Sequence, residues 1–561
     1  MNDTVRSIFA LTWSAARVYP KGNRGVENVL GGTWRGEPII ARILPLSVAE
    51  RDFDLALREW RSVVGPANVV DSSPGLDGYR DAYSPLEDNA PQASAAVLPN
   101  SVEQVQEVMR IASRYGVPVW PISTGRNLAY GGAAPRMSGT VMLDLKRMNR
   151  ILEVNDKYCY ALVEPGVTYF DLYRHIQEKK LPLWLSVPAP GWGSVLGNAL
   201  ERGLGYTPYG DHFGMQCGME VVLANGDLMR TGMGAMDKSE SWQLFKYGFG
   251  PYIDGLFTQS NFGVVTKMGM WLMPAPQDFL SCSIYFENEE DLEQIVEVMR
   301  PLKIALAIPN AATIYSAVVK AASLSVRADF YKGEGAMPPD ALRKMISELG
   351  IGFWNLSFAL YGPTQIVEGQ WAMLQQAFGQ IKGARFQAKR LGDDLTYRDL
   401  LQAGVPNMGE FNTLNWVPNS VHMDFSPISA LDGAEAVKQY KMISARANQY
   451  GFDYFGAFIA GWREMHHIFA LGFNKDSQDE KARARKLFAE LIDTAAAEGY
   501  GEYRTHLAFM DRVAGTYGFN DHAALRFSET IKNAIDPKGI IAPGKQGIWP
   551  QRFASERGKL G

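Results

Sequence analysis

The spacing of apolar residues predicts two helices in the N-terminal part of the chain. From Arg51 to Val64, apolar side chains recur at intervals that place them on one helical face. A second helix is predicted from Ser101 to Tyr115, with Ser101 as its N-cap because a serine oxygen can accept a hydrogen bond from the first turn. Short apolar runs with glycine-rich connections then predict strands, at Val117–Ile122, Val141–Leu145, Cys159–Val163 and Gly218–Leu223. This alternation indicates a mixed α/β architecture.

The pattern changes near residue 276. Longer stretches of helical periodicity replace the glycine-rich connections, at Glu289–Met299, Ala372–Ile381 and Lys481–Gly499. We therefore expect a second domain to begin there. A chain of 561 residues also exceeds what one hydrophobic core usually supports, which independently favours at least two compact units.

Two glycine-rich loops have the composition of phosphate-binding loops. The segment Pro121–Gly132 follows a predicted strand and combines three glycines with two hydroxyl side chains, so its backbone N–H groups could converge on an anion. One such loop is more often an ordinary turn, but Gly191–Asn198 has a similar character. Neither loop has the glycine spacing of a Rossmann fingerprint or of a P-loop. A dinucleotide, if bound, is expected in another fold.

Composition excludes several classes of function. Hydrophobic residues make up 46% of the chain and charged residues 21%, and the net charge of −4 is not that of a protein that binds nucleic acid. No window approaches the ~20 apolar residues that cross a bilayer. We expect neither a nucleic-acid nor a membrane partner.

Cysteine usage indicates the compartment. The three cysteines, Cys159, Cys217 and Cys282, are far apart and form no CxxC pair, which argues against a disulfide framework and a structural zinc site. A cytoplasmic location without a bound metal fits best. Residues 1–44 carry several basic side chains but no cleavage site or long apolar core, so we expect a loosely ordered extension.

Several longer motifs resemble those of the vanillyl-alcohol oxidase and para-cresol methylhydroxylase flavoprotein family, especially the branch that contains eugenol oxidase. The resemblance covers about residues 50–555, and its motifs lie at Pro121–Pro135, Leu162–Thr168, Gly191–Asn198, Gly205–His212, Tyr247–Pro251, Ser260–Gly263, Arg463–His467, Gly501–His506 and Ile541–Lys545. It implies an α+β, two-domain flavoprotein. A PCMH-type FAD-binding domain would comprise residues 45–275 and 500–561, and residues 276–499 would form an α+β cap domain over the substrate.

The resemblance also implies the cofactor and how it is attached. His422 lies in Trp416–Pro427, which is similar to the family motif whose histidine carries FAD as an 8α-histidyl adduct. The para-cresol methylhydroxylase branch uses a tyrosine in this region, and the present chain has no tyrosine between Tyr397 and Tyr440. The other residues that the resemblance assigns to FAD are Ser123, Thr124, Gly125, Arg126, Asn127, Gly131, Gly193, Ser194, Asn198, Tyr206, Gly263, Val265, Arg504 and Lys545.

A phenol site is implied as well. Tyr130, Tyr503 and Arg504 match the family residues that bind the substrate as a phenolate, because phenolic hydroxyls and a guanidinium favour the charged form. Ala189, Ile459 and His466 are expected to line the substrate pocket, although packing beneath the cap is an equal alternative for His466.

The implied reaction is oxidation of para-substituted phenols: 4-alkylphenols, 4-alkylguaiacols, eugenol or vanillyl alcohol. A hydride leaves the benzylic carbon for FAD, the ring becomes a para-quinone methide, and O2 reoxidises the flavin to give H2O2. The nearest alternative is a cytochrome-linked dehydrogenase of the same family. More distant alternatives are an FAD-linked oxidoreductase of hydroxy acids or sugar lactones, and an FAD-binding protein without activity.

One position departs from the family pattern. Related oxidases typically have an aspartate near the flavin where this chain has Ala189, which cannot move a proton. Asp424 stands two residues after His422, and in a strand the two side chains would share one face. Asp424 is therefore a candidate replacement base, with a buried structural acid as the equal alternative.

The expected assembly is a homodimer. Relatives that form octamers carry an inserted loop where this chain has the shorter segment Gly234–Tyr247.

Overall fold

The computed structural model describes residues 43–72, 75–86 and 90–560. The predicted N-terminal extension, apart from residues 43 and 44, lies outside these ranges. The first two predicted helices are confirmed, at Glu50–Val64 and Val102–Tyr115. The Ser101 side chain accepts a hydrogen bond from the Gln104 amide, so the predicted N-cap is confirmed too.

The first part of the chain contains eleven strands among the described residues. They are β1 (Val69–Val70), β2 (Ala95–Val97), β3 (Val119–Ile122), β4 (Val141–Asp144), β5 (Ile151–Asn155), β6 (Tyr160–Val163), β7 (Leu183–Trp184), β8 (Gln216–Val222), β9 (Leu228–Arg230), β10 (Val264–Trp271) and β11 (Met273–Pro274). The helices are α1 (Glu50–Val64), α2 (Val102–Tyr115), α3 (Tyr169–Glu178), α4 (Val195–Leu200) and α5 (His212–Met215).

These strands form two main sheets. The first has the order β1-β2-β4-β3, with β2, β4 and β3 parallel, and the second is antiparallel with the order β5-β6-β10-β8-β9. Strands β3 and β4 are buried between α1, α2 and the second sheet, which explains their continuous apolar sequence.

The second part supplies eight more strands. They are β12 (Asp278–Phe286), β13 (Ala312–Ser316), β14 (Trp354–Gly362), β15 (Arg385–Arg390), β16 (Ser420–Phe425), β17 (Ile428–Ala430), β18 (Gly456–Ala460) and β19 (Glu464–Asn474). The helices are α6 (Asp291–Ile304), α7 (Ala317–Ala322), α8 (Pro339–Leu349), α9 (Thr364–Phe378), α10 (Tyr397–Gln402), α11 (Gly433–Gln449) and α12 (Gln478–Ala497).

These strands build one antiparallel sheet with the order β15-β12-β14-β13-β18-β19-β16, and β17 also pairs with β19. Exposure alternates along β16 and β19, as it must when one sheet face is covered. Val421, Met423 and Phe425 enter the core beneath helices α11 and α12, whereas His422 and Asp424 lie on the other face. The condition on which the Asp424 hypothesis depends, a strand around His422, is therefore met.

The C-terminal part returns to the first sheet. It contains α13 (Met510–Thr516) and α14 (Phe519–Ile535), whose helical geometry is interrupted at residues 520–522. The Ala542 amide then donates to the Val119 carbonyl at 2.7 Å, and the buried Lys532 ammonium bonds the Ile541 carbonyl at 2.7 Å. The C-terminal part of the chain therefore joins strand β3.

The described residues also bear on the thiols, on membrane spanning and on metal binding. All three cysteines are free thiols, as expected. Within the described ranges, no helix is long and apolar enough to cross a membrane. The same residues include no group of three or more histidine, cysteine or acidic side chains placed to hold a metal ion.

Candidate active site

A cavity of about 1080 Å³ lies between the glycine-rich loops of the first part and the open face of the eight-stranded sheet. All the residues that the motifs assign to FAD line it: Ser123, Thr124, Gly125, Arg126, Asn127, Gly131, Gly193, Ser194, Asn198, Tyr206, Gly263, Val265, His422, Arg504 and Lys545. Residues separated by more than 400 positions in the sequence thus surround one space.

The loop after β3 needs glycine at two positions. Gly125 has φ +67°, and a Cβ there would lie 2.7 Å from the Ala133 Cβ. Gly131 has φ +106°, and its Cβ would overlap the Leu507 side chain. Only glycine adopts such angles at little cost. The chain thus brings its backbone close to the cavity along this loop.

The second loop is organised by side chains. The Ser194 hydroxyl caps α4 by accepting from the Gly197 amide at 2.9 Å, and it donates to the Pro165 carbonyl at 2.6 Å. The Asn198 amide oxygen lies 2.5 Å from Nδ1 of His212. Burial lowers the pKa of His212 to about 3, so this ring is neutral at pH 7 and acts as a fixed hydrogen-bonding group behind the cavity wall.

His422 faces the cavity with a free nitrogen. Its Nε2 lies 3.5 Å from a carboxylate oxygen of Asp424, whereas its buried Nδ1 has no hydrogen-bond partner in the described chain. The Tyr83 ring packs edge-on against the imidazole, with 5.5 Å between ring centres. A histidine that lines a dinucleotide-sized cavity and has an orphaned ring nitrogen fits the attachment of a flavin.

The predicted phenolate-binding residues form one cluster. Arg504 donates from Nη2 to the Tyr130 hydroxyl at 2.9 Å, and its guanidinium carbon lies 4.2 Å from the Tyr130 ring centre and 5.5 Å from that of Tyr503. The buried Nε of Arg504 has no partner in the described chain. Burial raises the pKa of Tyr130 well above its ordinary value, so its hydroxyl keeps its proton and can donate it to an anion.

The two positions of the base hypothesis, Ala189 and Asp424, both line the cavity but lie on different structural elements. Ala189 lines the cavity on the side of the glycine-rich loops, where it offers only a methyl group. Asp424 lines it from β16, opposite Ala470 of β19 in the sheet register. Asp424 also helps to raise the pKa of Tyr130, so its negative charge acts on the phenol-binding cluster.

The remaining pocket predictions have different outcomes. Ile459 lines the cavity from β18. His466 does not line it; its ring packs edge-on against Tyr503, with 4.9 Å between ring centres. The next residue, His467, points into the core, where Nε2 lies 2.6 Å from the Tyr454 hydroxyl. His467 is therefore a packing residue, because alternation along β19 sends it to the opposite face.

Sequence reasoning missed an aromatic wall. The Trp192 ring lies 5.0 Å from that of Phe411, and the Arg126 guanidinium lies 5.4 Å from the Trp192 ring while it donates to the Trp192 carbonyl at 2.8 Å. A tryptophan between two glycines of a predicted binding loop was the available signal. No sequence pattern around Glu410 indicated that this residue lines the cavity beside Phe411.

Sequence reasoning also missed Glu502. Its side chain is buried, one carboxyl oxygen accepts from the Ser426 amide at 3.3 Å, and the other oxygen has no partner in the described chain. Burial raises the pKa of Glu502 well above its ordinary value. Burial therefore disfavours the charged form of this acid, which lies directly before the Tyr503–Arg504 pair.

Two family models match the chain. One is described as an FAD binding domain and matches residues 93–232, and the other, the C-terminal domain of FAD linked oxidases, matches residues 356–546. The first range contains both glycine-rich loops, and the second contains the His422 strand and the Tyr503–Arg504 pair. FAD is therefore the cofactor to which the cavity corresponds.

Individual relatives agree with these models. The chain is 43% identical over 511 residues to the flavoprotein subunit of 4-cresol dehydrogenase (hydroxylating) from Pseudomonas putida, which covers 90% of this chain and 98% of the relative. The structure of 4-ethylphenol oxidase from Gulosibacter chungangensis in complex with isoeugenol matches with a TM-score of 0.89 at 41% identity, over 91% of this chain and 100% of that one. Substrate-bound p-cresol methylhydroxylase matches with a TM-score of 0.88 at 42% identity, over 90% and 99% of the two chains. By fold, cofactor site and sequence, this chain belongs to the p-cresol methylhydroxylase and vanillyl-alcohol oxidase family of two-domain, α+β, FAD-dependent oxidoreductases.

Proposed function

We propose that this protein oxidises 4-alkylphenols at the benzylic carbon. The observation that carries the proposal is the cluster of Tyr130, Tyr503 and Arg504 that lines the FAD cavity, because two phenolic donors and one guanidinium bind a phenolate. The names of the relatives, a 4-cresol dehydrogenase subunit and a 4-ethylphenol oxidase, support the same substrate class.

The cluster makes the chemistry accessible by binding the phenol oxygen as an anion. A phenolate pushes electron density toward the para carbon, so that loss of a hydride from the benzylic carbon leaves a neutral para-quinone methide. Arg504 and the two tyrosines stabilise the charged oxygen in a site removed from water, where such contacts are strongest. FAD, when bound, supplies the two-electron oxidation by accepting that hydride.

His422 is proposed to hold the flavin covalently as an 8α-histidyl adduct. The Asp424 carboxylate orients the imidazole through Nε2, which leaves the free nitrogen available for the bond. After denaturing precipitation, we expect the flavin of the wild-type protein to remain with the polypeptide and that of His422→Ala to appear in the supernatant. Free flavin from both proteins would overturn the link.

Asp424 is proposed to act as the base that accepts a proton during the reaction, because the methyl side chain of Ala189 cannot accept one. The quinone methide of an ethylphenol either adds water, giving an alcohol, or loses a side-chain proton, giving an alkene, and both routes deliver a proton to an acceptor. Asp424 is the carboxylate that lines the cavity on the strand of His422.

Molecular oxygen is proposed as the electron acceptor, with H2O2 as its product. The similarity to 4-ethylphenol oxidase supports an oxidase, while the similarity to a dehydrogenase flavoprotein subunit favours a cytochrome acceptor as the alternative. One peroxide per product molecule would establish the oxidase. Turnover with an artificial dye but not with oxygen would establish the dehydrogenase.

A homodimer is proposed for the assembly. Residues 236–252 carry several exposed apolar side chains, among them Phe245, Tyr247 and Phe249, as expected of a surface that a second copy covers. Light scattering should report twice the chain mass of 62.2 kDa, and a value equal to one chain would contradict the dimer.

The proposed function is tested by anaerobic reduction of the purified yellow protein. We expect 4-ethylphenol to bleach the flavin absorbance within seconds, and D-lactate, a hydroxy acid that tests the more distant alternative, to leave it unchanged. A flavin that no 4-alkylphenol reduces would overturn the proposal.

A further inference from the structure

A second, smaller cavity lies away from the flavin site, among strands β12, β13 and β15 and helices α7 and α10. Its volume is about 80 Å³, and its lining includes the cations Lys320, Lys389 and Arg398 but only one acid, Asp399. The other lining groups are mainly hydroxyl and amide side chains, which can donate hydrogen bonds. Cationic and hydroxyl donors with a single acid are typical of an anion site.

Two of the cationic side chains, Lys320 and Arg398, have donor groups without a polar partner in the described chain. The Lys320 ammonium forms no hydrogen bond or ion pair with any described residue, and it lies 5.7 Å from the centre of the Tyr285 ring. Arg398 is 9% exposed, and its buried Nη1 likewise has no partner in the described chain. Buried cationic donors are costly to leave unpaired. The buried Nη1 of Arg398 and the partly buried, unpaired ammonium of Lys320 around one cavity indicate a missing anionic partner.

The nearby acids do not supply that partner. The Asp399 carboxylate accepts hydrogen bonds from the Ser281 hydroxyl and from the amide and hydroxyl of Thr396. Glu410 is engaged by Nη2 of Arg398 at 3.1 Å, on the side of the flavin cavity. The smaller cavity therefore keeps an excess of positive charge.

Lys320 is cationic at neutral pH. Burial, together with the neighbouring cations Arg398 and Lys389, lowers the pKa of Lys320 to about 8, and Asp399 acts in the opposite direction. The rings of Tyr285, Tyr315 and Tyr397 complete the surroundings without adding charge at pH 7. An anion in the cavity would raise the pKa of Lys320 again.

We propose that this cavity binds a small tetrahedral oxyanion, with phosphate and sulfate as the representatives of the class. Lys320 and Nη1 of Arg398 would supply the charged contacts, and the hydroxyl of Ser283, which also lines the cavity, would complete the shell. A single water needs roughly 10–15 Å³ of such space, so the volume admits a small anion but not a phenol. Rim residues such as Gln387 and Leu324 are exposed, which connects the site to solvent.

The site is tested by calorimetric titration of the FAD-loaded protein with sodium phosphate, sodium sulfate or sodium acetate at pH 6.5 and constant ionic strength. We expect one phosphate or sulfate per chain. Lys320→Met should weaken binding at least 10-fold, and Lys389→Met several-fold. The exposed Lys441, which lies on another helix, provides the matched control, so Lys441→Met should bind like the wild type.

The sulfate titration also isolates the titration of Lys320, because sulfate keeps its charge from pH 6.5 to 9. The wild type should bind sulfate more weakly at pH 9, and Lys320→Met should lose this pH dependence. Unchanged affinity in Lys320→Met, tighter binding of acetate than of phosphate, or no saturable binding to the wild type would each overturn the proposal. If Lys320→Met does not fold, as judged by circular dichroism, Lys389→Met decides in its place.

Discussion

Arg504 is the residue on which phenolate binding depends most directly. Its guanidinium contacts both tyrosines, and its free Nε is the unused donor of the cluster. Removing this charge takes away a contact that is strongest when the substrate oxygen is an anion. The role of Arg504 is therefore testable both by kinetics and by the ionisation of a bound phenol.

Arg504→Gln should lower kcat/KM for 4-ethylphenol by about 100- to 1000-fold, the usual cost of one donor to a developing anion. The ionisation of bound 4-hydroxybenzaldehyde, followed by its absorbance, should move to higher pH. Arg463→Gln is the control, because Arg463 is exposed. An unchanged titration of the bound phenol in Arg504→Gln would contradict the assignment.

Asp424→Asn tests the relocated base. The amide preserves the size of the side chain but cannot accept a proton, so turnover should fall by at least about 10-fold. The ratio of alcohol to alkene formed from 4-ethylphenol should also change. The exposed Asp521 gives the control Asp521→Asn. Since Asp424 also faces His422, in-gel flavin fluorescence should first establish that the variant keeps its flavin. Wild-type turnover with the wild-type product ratio would remove Asp424 from the mechanism.

At the scale of elements, the glycine-rich loops and strand β16 position the site by different means. The loops depend on glycine for close backbone approach, whereas β16 uses alternation to send His422 and Asp424 to the cavity and its other side chains to the core. A residue inserted into β16 would exchange the two faces.

The loop geometry predicts different effects for two glycine-to-alanine changes. Gly131→Ala should destabilise the protein by about 1–3 kcal/mol, because the new methyl overlaps Leu507 and the backbone φ is positive. Gly193→Ala should leave the stability of the flavin-free protein unchanged, since no atom lies within 4 Å of the added Cβ, but weaken FAD binding because Gly193 lines the cavity. Urea unfolding and flavin titration of both variants measure the two effects. Equal stabilities would contradict the argument.

At the scale of the whole molecule, buried neutral histidines make stability dependent on pH. Burial lowers the pKa of His212 and of His467 to about 3, compared with about 6.5 in the unfolded chain. Between these values the unfolded state binds more protons than the folded state. Their contribution to stability is therefore complete above pH 6.5 and is lost as the pH falls toward 3.

Each histidine should change the free energy of unfolding by about 1.4 kcal/mol per pH unit within that window. Glu502 acts in the opposite sense, because burial raises its pKa. Comparing His467→Gln with the wild type by urea unfolding at pH 5, 6 and 7 isolates one histidine: the variant should lose less stability on acidification. Parallel pH profiles would contradict the assignment.

The sequence by itself was sufficient to predict the first helices, a dinucleotide cofactor and the family to which the motifs belong. Helical spacing and the serine cap located α1 and α2, and glycine-rich loops after short strands indicated the dinucleotide site, because these signals depend on neighbouring residues. Resemblance of the motifs supplied the family, which the comparisons confirm. The spacing of two residues between His422 and Asp424 also implied a shared face if the segment were a strand, and the structure supplies that strand.

Tertiary structure alone decided which distant residues meet. The contact between Arg504 and Tyr130 joins positions 374 residues apart, and the pairing of Arg398 with Glu410 has no local signal. His466 and His467 are adjacent in the chain, but they lie on opposite faces of the sheet, so the ring of His466 packs against Tyr503 and that of His467 lies in the core. The orphaned Nη1 of Arg398 and the buried acid of Glu502 emerged only from packing, since burial and missing partners are properties of the folded chain rather than of any sequence window.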